Sequence, residues 1–239
     1  MFAPSTTVVI PCFNEAPGIG DLIDEVLSSI PQASIVIIDD NSPDGTAEVA
    51  ASRGSRVTVI RREGRLGLAS AIHAGLKAAS TEVVIVMDGD GSHEPKDALR
   101  LIDTLRDADL AVGSRWMKGG TAPGLTMPRT AWSRGANSLV DLVLGYHIND
   151  WTAGFFAIRG AAIPRLTKTP PQARGWAGSL EIKFRALCLG LTLVEIPVTF
   201  GRRRHGTSKL RIRDMVESLV DLFAILRNRS DVTEHDDGA

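Results

Sequence analysis

An α/β fold built on a mainly parallel central sheet is predicted by three features of the sequence. Short runs of β-branched residues alternate with longer segments whose apolar residues recur at helical spacing, the rhythm of βαβ units with right-handed crossovers. Two of those runs, 34–38 and 83–87, stop at carboxylates: Asp39-Asp40 and Asp88-Gly89-Asp90. Charges are almost never buried unpaired, so these acids belong just past the strand ends, where open α/β sheets bind ligands. The third feature is size. The chain has 239 residues and 44% hydrophobic content, enough for one large domain with an ordinary core.

The elements follow in order. Residues 6–11 form a strand carrying Thr7, Val8, Val9 and Ile10, and 19–30 form a helix with Ile19, Leu22, Ile23, Val26, Leu27 and Ile30 on one stripe. A strand over 34–38 leads to a helix over 44–53, with Asp44 as its expected cap. Strand 56–60, an Ala-rich helix over 66–79, strand 82–87, helix 96–106 and a short strand at 110–112 complete the first half. After Gly113 the rhythm changes. Gly119-Gly120-Thr121-Ala122-Pro123-Gly124 reads as a loop. Residues 131–144 read as an amphipathic helix with Trp132, Ala136, Leu139, Val140, Val143 and Leu144 roughly together. Strands at 155–158 and 192–198 flank a helix over 179–189. A strongly periodic helix over 212–226 carries Ile212, Met215, Val216, Leu219, Val220, Phe223 and Leu226 on one stripe. The residues from 230 read as an acidic, disordered tail.

Composition narrows the function. The formal net charge is −1, so no global basic field argues for nucleic acid. Locally, Arg202, Arg203, Arg204 and His205 form a basic cluster. Cys12 and Cys188 give neither a disulfide framework nor a zinc pattern, which fits a reducing cytosol. No signal-peptide pattern, lipidation motif or run of about 18 apolar residues occurs, so a cytoplasmic protein is expected.

Four segments gather the chemistry: Pro11-Cys12-Phe13-Asn14-Glu15, the run from Asp39 to Thr46, Asp88-Gly89-Asp90 and Gly113-Ser114-Arg115. Each ends a strand, and parallel strands share one edge, so the four loops are expected to meet. Alone, each loop could be an ordinary turn; together they are harder to read that way. Asp88 and Asp90 are hard oxygen ligands one residue apart, with Gly89 permitting the turn, and suit Mg²⁺ or Mn²⁺ shared with a diphosphate. His73, His93 and His147 show no metal-ligand spacing and are expected to be structural.

With these pieces in place the chain resembles glycosyltransferase family 2 with its GT-A nucleotide-sugar-binding fold. The resemblance rests on Val-Val-Ile-Pro-Cys-Phe-Asn-Glu, Ile-Ile-Asp-Asp-Asn-Ser-Pro-Asp-Gly-Thr and Asp-Gly-Asp. It is closer still to polyprenol-phosphate (dolichol-phosphate) mannose synthases, through Arg65-Leu66-Gly67-Leu68, Gly113-Ser114-Arg115-Trp116, Ser133-Arg134-Gly135-Ala136-Asn137, Asp150-Trp151-Thr152-Ala153-Gly154-Phe155 and the run from Arg203 to Leu210. It covers roughly residues 6–226. It implies inverting transfer of mannose from GDP-mannose to a polyprenyl monophosphate, with a metal neutralising the leaving diphosphate. A lipid phosphate is already anionic, so no dedicated general base is required. The implied organisation is one catalytic domain over 1–229: a nucleotide-sugar half (1–113), an acceptor half (114–210) and an amphipathic helix (211–229), followed by the tail 230–239.

The resemblance also implies roles. Pro11, Phe13, Glu15, Ile38 and Asp40 match positions lining the nucleoside pocket, with Gly89 and Arg115 completing the donor site. Asp88 and Asp90 match the metal and diphosphate site. Ser92 stands where close relatives often carry Gln as a further ligand, which leaves water as a substitute. Arg115, Arg129, Arg203 and Lys209 match basic positions facing donor diphosphate and acceptor phosphate, for which Arg supplies planar, bidentate contacts and Lys a compact charge. Arg134 either joins them or caps its helix. Asp150 either orients sugar or acceptor, or serves as a helix-to-strand cap. Trp116 and Trp132 line an acceptor groove or belong to the core.

Without a spanning helix, the protein is expected to sit peripherally on the cytosolic face of a membrane, through 131–144 or 212–226, or to depend on a separate membrane-protein partner. The basic flanks Arg211, Arg213, Arg227 and Arg229 favour anionic lipid. The competing expectation is that these stripes pack onto the domain. Competing functions are a polyprenyl-phosphate glucosyltransferase using UDP-glucose, a transferase with a soluble acceptor, and a noncatalytic nucleotide-sugar-binding protein. A dinucleotide oxidoreductase is disfavoured, because no Gly-x-Gly-x-x-Gly follows the first strand.

Overall fold

The computed structural model describes residues 4–173, 177–204 and 212–227, with side chains in the last segment from Val220 onward. Lys209, His205 and the tail 230–239 lie outside the described residues. Seven strands form one sheet in the order β3-β2-β1-β4-β6-β5-β7: β1 (Thr6–Cys12), β2 (Ser34–Asp39), β3 (Val57–Arg61), β4 (Val83–Val86), β5 (Leu110–Ser114), β6 (Phe156–Arg159) and β7 (Leu193–Pro197). All pairings are parallel except those of β6, which runs antiparallel to both β4 and β5. Inserting one reversed strand brings the loop that enters β6 to the same edge as the C-terminal ends of β4 and β5.

Both faces of the sheet are covered. The helices are α1 (Ala16–Ser29), α2 (Thr46–Ala51), α3 (Leu68–Ala78), α4 (Asp97–Thr104), α5 (Met127–Leu144), α6 (Ile163–Leu166), α7 (Gly178–Cys188) and α8 (Ile212–Arg227). Alternation along the strands sorts the core into two layers. Val8, Ile10, Ile35, Ile37 and Ile85 pack with Ile19, Leu22 and Ile23 of α1 and Leu101 of α4. Val9, Val36, Ile38, Val84 and Val86 face the other way, onto Ile72 and Leu76 of α3 and Ile182 of α7. Burial of each such side chain contributes about 1.5–3 kcal/mol. A third cluster joins Val140 and Leu144 of α5, Trp151, Phe184 of α7, and Leu222 and Ile225 of α8.

The expected elements are present, with local differences. Gly45 stands at the N-terminal boundary of α2 with a left-handed φ of 87°, and the side chain that caps the helix is Asp44, as expected. Asp44 accepts the Thr46 N–H, and its other oxygen accepts the Ala16 N–H at 3.0 Å. The carboxylate therefore ties α2 to the start of α1, where no side chain of α1 itself caps the helix. A 3₁₀ turn at Gly160–Ala162 running into α6 had no sequence signal of its own. On α5, Val140 and Leu144 are buried while Trp132, Leu139 and Leu142 are exposed. The apolar positions expected on one side are thus divided between core and surface. On α8 the buried face is not the expected stripe: its members Val220 and Phe223 are 65% and 63% exposed and Leu226 is half-buried, while the apolar residues buried are Leu222 and Ile225, which lie off that stripe. No helix among the described residues is long and apolar enough to cross a membrane.

Candidate active site

The loops after β1 and β2 are laced together by backbone donors and short polar side chains. Asp39 accepts from both N–H and Oγ of Ser42, and Ser42 Oγ accepts the Asn14 N–H at 2.9 Å. Thr46 Oγ1 accepts the Glu15 N–H at 2.9 Å. Asn14 and Asn41 hold φ of 56° and 57°, a left-handed conformation that Asn tolerates better than most residues. Pro11, Phe13 and Glu15 lie half-buried along this edge, and Arg65 stacks over the Phe13 ring at 4.7 Å.

Two expected pocket residues turn inward. Ile38 has 0% exposure and packs against α3, so its side chain belongs to the core. Asp40 is buried and ion-paired with Arg62, and its second oxygen accepts the Gly67 N–H at 3.1 Å. Arg62 continues to Ser70 Oγ and the Gly67 carbonyl. Asp40 therefore fastens the turn into α3.

Asp88 and Asp90 stand past β4 as expected. Asp90 is buried. Its Oδ1 accepts the N–H and the hydroxyl of Ser92 at 2.9 and 2.5 Å, and its Oδ2 meets Arg203 Nε at 3.0 Å. Ser92, only 1% exposed, spends its hydroxyl on Asp90. In this arrangement Ser92 supports the second carboxylate. Asp88 is partly open and its Oδ2 lies 3.2 Å from His93 Nε2. Burial pushes the Asp88 carboxyl up, but the His93 hydrogen bond and the charges of His93, Arg203 and Arg115 hold it below the usual carboxylate range. His93, expected to be merely structural, is the orienting partner of Asp88, wedged between Phe155 and Phe200. Two glycines make room. A Cβ on Gly154 would fall 2.7 Å from Asp88 Oδ1, and one on Gly89 would fall 2.9 Å from Cys12 Sγ.

Arg115 follows β5. Its Nε and Nη2 form a fork onto Asp150 at 2.7 Å each, its backbone N–H joins at 3.0 Å, and Nη2 also reaches Thr152 Oγ1. Asp150 is fully buried, and both its oxygens hold Arg115. Burial pushes its carboxyl up, and the Arg115 hydrogen bonds and charge, with Lys183, bring it below the ordinary range. Glu195 of β7 holds the same turn from behind, accepting the N–H groups of Asn149 and Asp150 at 2.8 and 2.9 Å.

Beyond β5, Arg115 and Arg134 both stack on Trp116, at 5.3 and 5.2 Å, and the buried Trp116 Nε1 has no acceptor among the described residues. Arg134 is thereby drawn toward the strand-end loops and does not cap α5. Arg129 lies half-buried in the first turns of α5, and Trp132 is exposed.

The residues can hold a divalent ion only in part. Among the described residues no group of three or more His, Cys, Asp or Glu is placed to cage one. Two hard carboxylates, one of them open, fit an ion that completes its shell with water and a ligand's phosphate oxygens.

The sequence profile described as Glycosyl transferase family 2 matches residues 7–166. The chain belongs to glycosyltransferase family 2. It is 34% identical over 222 residues to a polyprenol monophosphomannose synthase of Mycolicibacterium smegmatis, covering 90% of this chain and 84% of the relative. It is 30% identical over 220 residues to an undecaprenyl-phosphate mannosyltransferase of Micrococcus luteus, covering 90% of each. A dolichol-phosphate mannosyltransferase of Pyrococcus furiosus is 34% identical over 92% of this chain, which spans 63% of that longer protein. Among solved structures, glucosyl-3-phosphoglycerate synthase of Mycobacterium tuberculosis, in complex with Mn²⁺, UDP-glucose and glycerol 3-phosphate, shares the fold. Its TM-score is 0.68 at 20% identity, covering 95% of this chain and 80% of that one. The chain is therefore a glycosyltransferase with the GT-A architecture. In this family 2 enzyme the arginines Arg115 and Arg203 converge with Asp88 and Asp90 on one edge. Gly154, within the Asp150–Phe155 motif, joins them there, and so do His93 and Lys183, which no sequence signal assigns to the site. His93 lacks metal-ligand spacing, although it stands three residues after Asp90.

Proposed function

We propose that this glycosyltransferase moves mannose from GDP-mannose to a polyprenyl monophosphate with inversion of the anomeric centre. The observation that carries the reading is the 34% identity to the polyprenol monophosphomannose synthase along nine-tenths of the chain. The site supports it with a paired-carboxylate and arginine edge suited to two phosphate-bearing substrates. Asp88 and Asp90 would hold a divalent ion, Mg²⁺ or Mn²⁺, and the Mn²⁺ bound by the glucosyl-3-phosphoglycerate synthase supports that choice. The ion would supply Lewis-acid neutralisation of the leaving diphosphate. His93 orients Asp88 and Ser92 orients Asp90. Arg115, clamped by Asp150, presents a fixed charge to the donor diphosphate. Pro11, Phe13 and Glu15 border the nucleoside.

Arg203, Arg134 and Arg129, together with Lys209, serve the acceptor phosphate, whose oxygen attacks without a protein base because it is already ionised. The exposed apolar residues Trp132, Leu139 and Leu142 of α5 and Val220 and Phe223 of α8 support peripheral contact with a membrane at its cytosolic face. A separate membrane protein is the other way to present the lipid.

The deciding experiment incubates the protein and Mn²⁺ or Mg²⁺ with GDP-mannose, UDP-glucose and other nucleotide sugars, each with a short polyprenyl phosphate, and identifies the lipid product by mass. Polyprenyl phosphomannose from GDP-mannose alone is expected. Product from UDP-glucose alone, or transfer only to a soluble acceptor, would overturn the assignment.

A further inference from the structure

Helix α7 is buried along nearly its whole length, and Lys183 sits in it between Ile182 and Phe184. A lysine in such a position is rare, because an ammonium without water or a carboxylate partner is costly to bury. Lys183 is 0% exposed. Its Nζ forms no ion pair among the described residues. It donates instead to two backbone carbonyls, Trp151 O at 2.8 Å and Ala153 O at 2.7 Å, and lies over the Phe156 ring. Burial pushes the amine down to about 7, with Arg115 acting in the same direction and Asp150, Glu195 and Asp88 opposing.

Those two carbonyls belong to the turn that enters β6, outside the strand ladder. On one side the turn carries Asp150, which clamps Arg115. On the other it carries Gly154, against which the Asp88 carboxylate rests. We infer that Lys183 is a positioning residue of the donor site: by tying Trp151 O and Ala153 O to α7, it sets the spacing between the Arg115 charge and the Asp88 carboxylate without touching substrate. The inference rests on the reading that a donor diphosphate lies between those two groups.

Two variants test it. Lys183→Met keeps the apolar stem and removes the donor. Lys183→Gln restores N–H donors on a shorter stem. Three readouts are needed besides kcat and KM: thermal midpoint, nucleoside diphosphate affinity with Mn²⁺ in the absence of turnover, and amide exchange of residues 151–155. A misplacement of about 1 Å costs on the order of 10²-fold in rate, so Lys183→Met is expected to lose about that factor in kcat, with donor KM changed far less. Its diphosphate affinity should fall in the presence of Mn²⁺, and exchange should rise at 151–155 but not in β1 or β4. Lys183→Gln is expected to recover part of each. Wild-type kcat, diphosphate affinity and exchange in a folded Lys183→Met protein would overturn the inference. So would a loss of activity that merely tracks the unfolded fraction in both variants. If the wild type transfers sugar from no donor, the functional reading fails, while diphosphate affinity and exchange still decide the role of Lys183.

Discussion

Asp90 shows how little freedom a buried carboxylate has. Both oxygens are engaged, by Ser92 and Arg203, so its charge is compensated before any ligand arrives. Replacing it by Ala is expected to abolish transfer and to weaken nucleotide binding only when Mn²⁺ is present. Titration of nucleotide with and without the ion checks this, and near wild-type turnover with unchanged metal dependence would sink the metal assignment. Arg203→Ala is expected to lower turnover with lipid phosphate more than it lowers GDP affinity. Removing a charge-assisted hydrogen bond to phosphate costs about 1.5–3 kcal/mol. Loss of GDP binding alone would move Arg203 to the donor side. Asp150 yields a pH prediction. Its carboxyl is held below the ordinary range, so the stability it contributes is fully present above the unfolded carboxylate pKa and is lost as pH falls through the depressed folded value. Asp150→Asn, which leaves Arg115 without its buried counter-charge, is expected to destabilise by about 3–5 kcal/mol at pH 7. The gap to wild type should narrow as pH falls below the ordinary carboxylate range, read from urea midpoints across that window.

At the scale of elements, α5 and α8 each present one amphipathic stripe in the sequence; in the fold the α5 stripe divides between core and surface, and α8 buries Leu222 and Ile225, which lie off its stripe. Val140 and Leu144 meet Leu222 and Ile225 in the third core cluster, which leaves Trp132, Leu139, Leu142, Val220 and Phe223 outside. A three- or four-residue spacing identifies which residues share a helix face, but cannot say which of two adjacent apolar faces a neighbouring helix will cover. The exposed half bears on membrane contact. Reversible binding to anionic vesicles is expected, weakened by salt because the arginine contribution is screened over about 8–10 Å at physiological ionic strength. Replacing Val220 and Phe223 together by Ser should reduce vesicle binding while leaving the thermal midpoint and GDP binding intact, since neither side chain is in the core. Wild-type protein that ignores vesicles at low salt would point to a membrane partner that presents the lipid.

For the whole molecule, the site's carboxylates already have in-chain partners, Asp88 in His93 and Asp90 in the Arg203 charge. A chelator is therefore expected to stop transfer while shifting the thermal midpoint little, and a large midpoint loss would show that the ion is structural. The strands, the helices of the first half and the placing of Asp88, Asp90 and Arg115 at strand ends were legible in the chain, because β-branched runs, helical spacing and the cost of burying charge act locally. The family was legible for the same reason: its motifs are those strand-end loops. Only the tertiary structure reversed β6 within the sheet and so carried Asp150–Gly154 to the edge where Asp88 and Arg115 lie. Only packing sent Ile38, Asp40 and Ser92 inward, brought His93 to Asp88, and buried Lys183 beneath the turn. Each of those outcomes is decided by the groups that happen to pack around the residue, such as the Trp151 carbonyl 32 positions from Lys183. No local periodicity or propensity encodes which group will satisfy a buried polar atom.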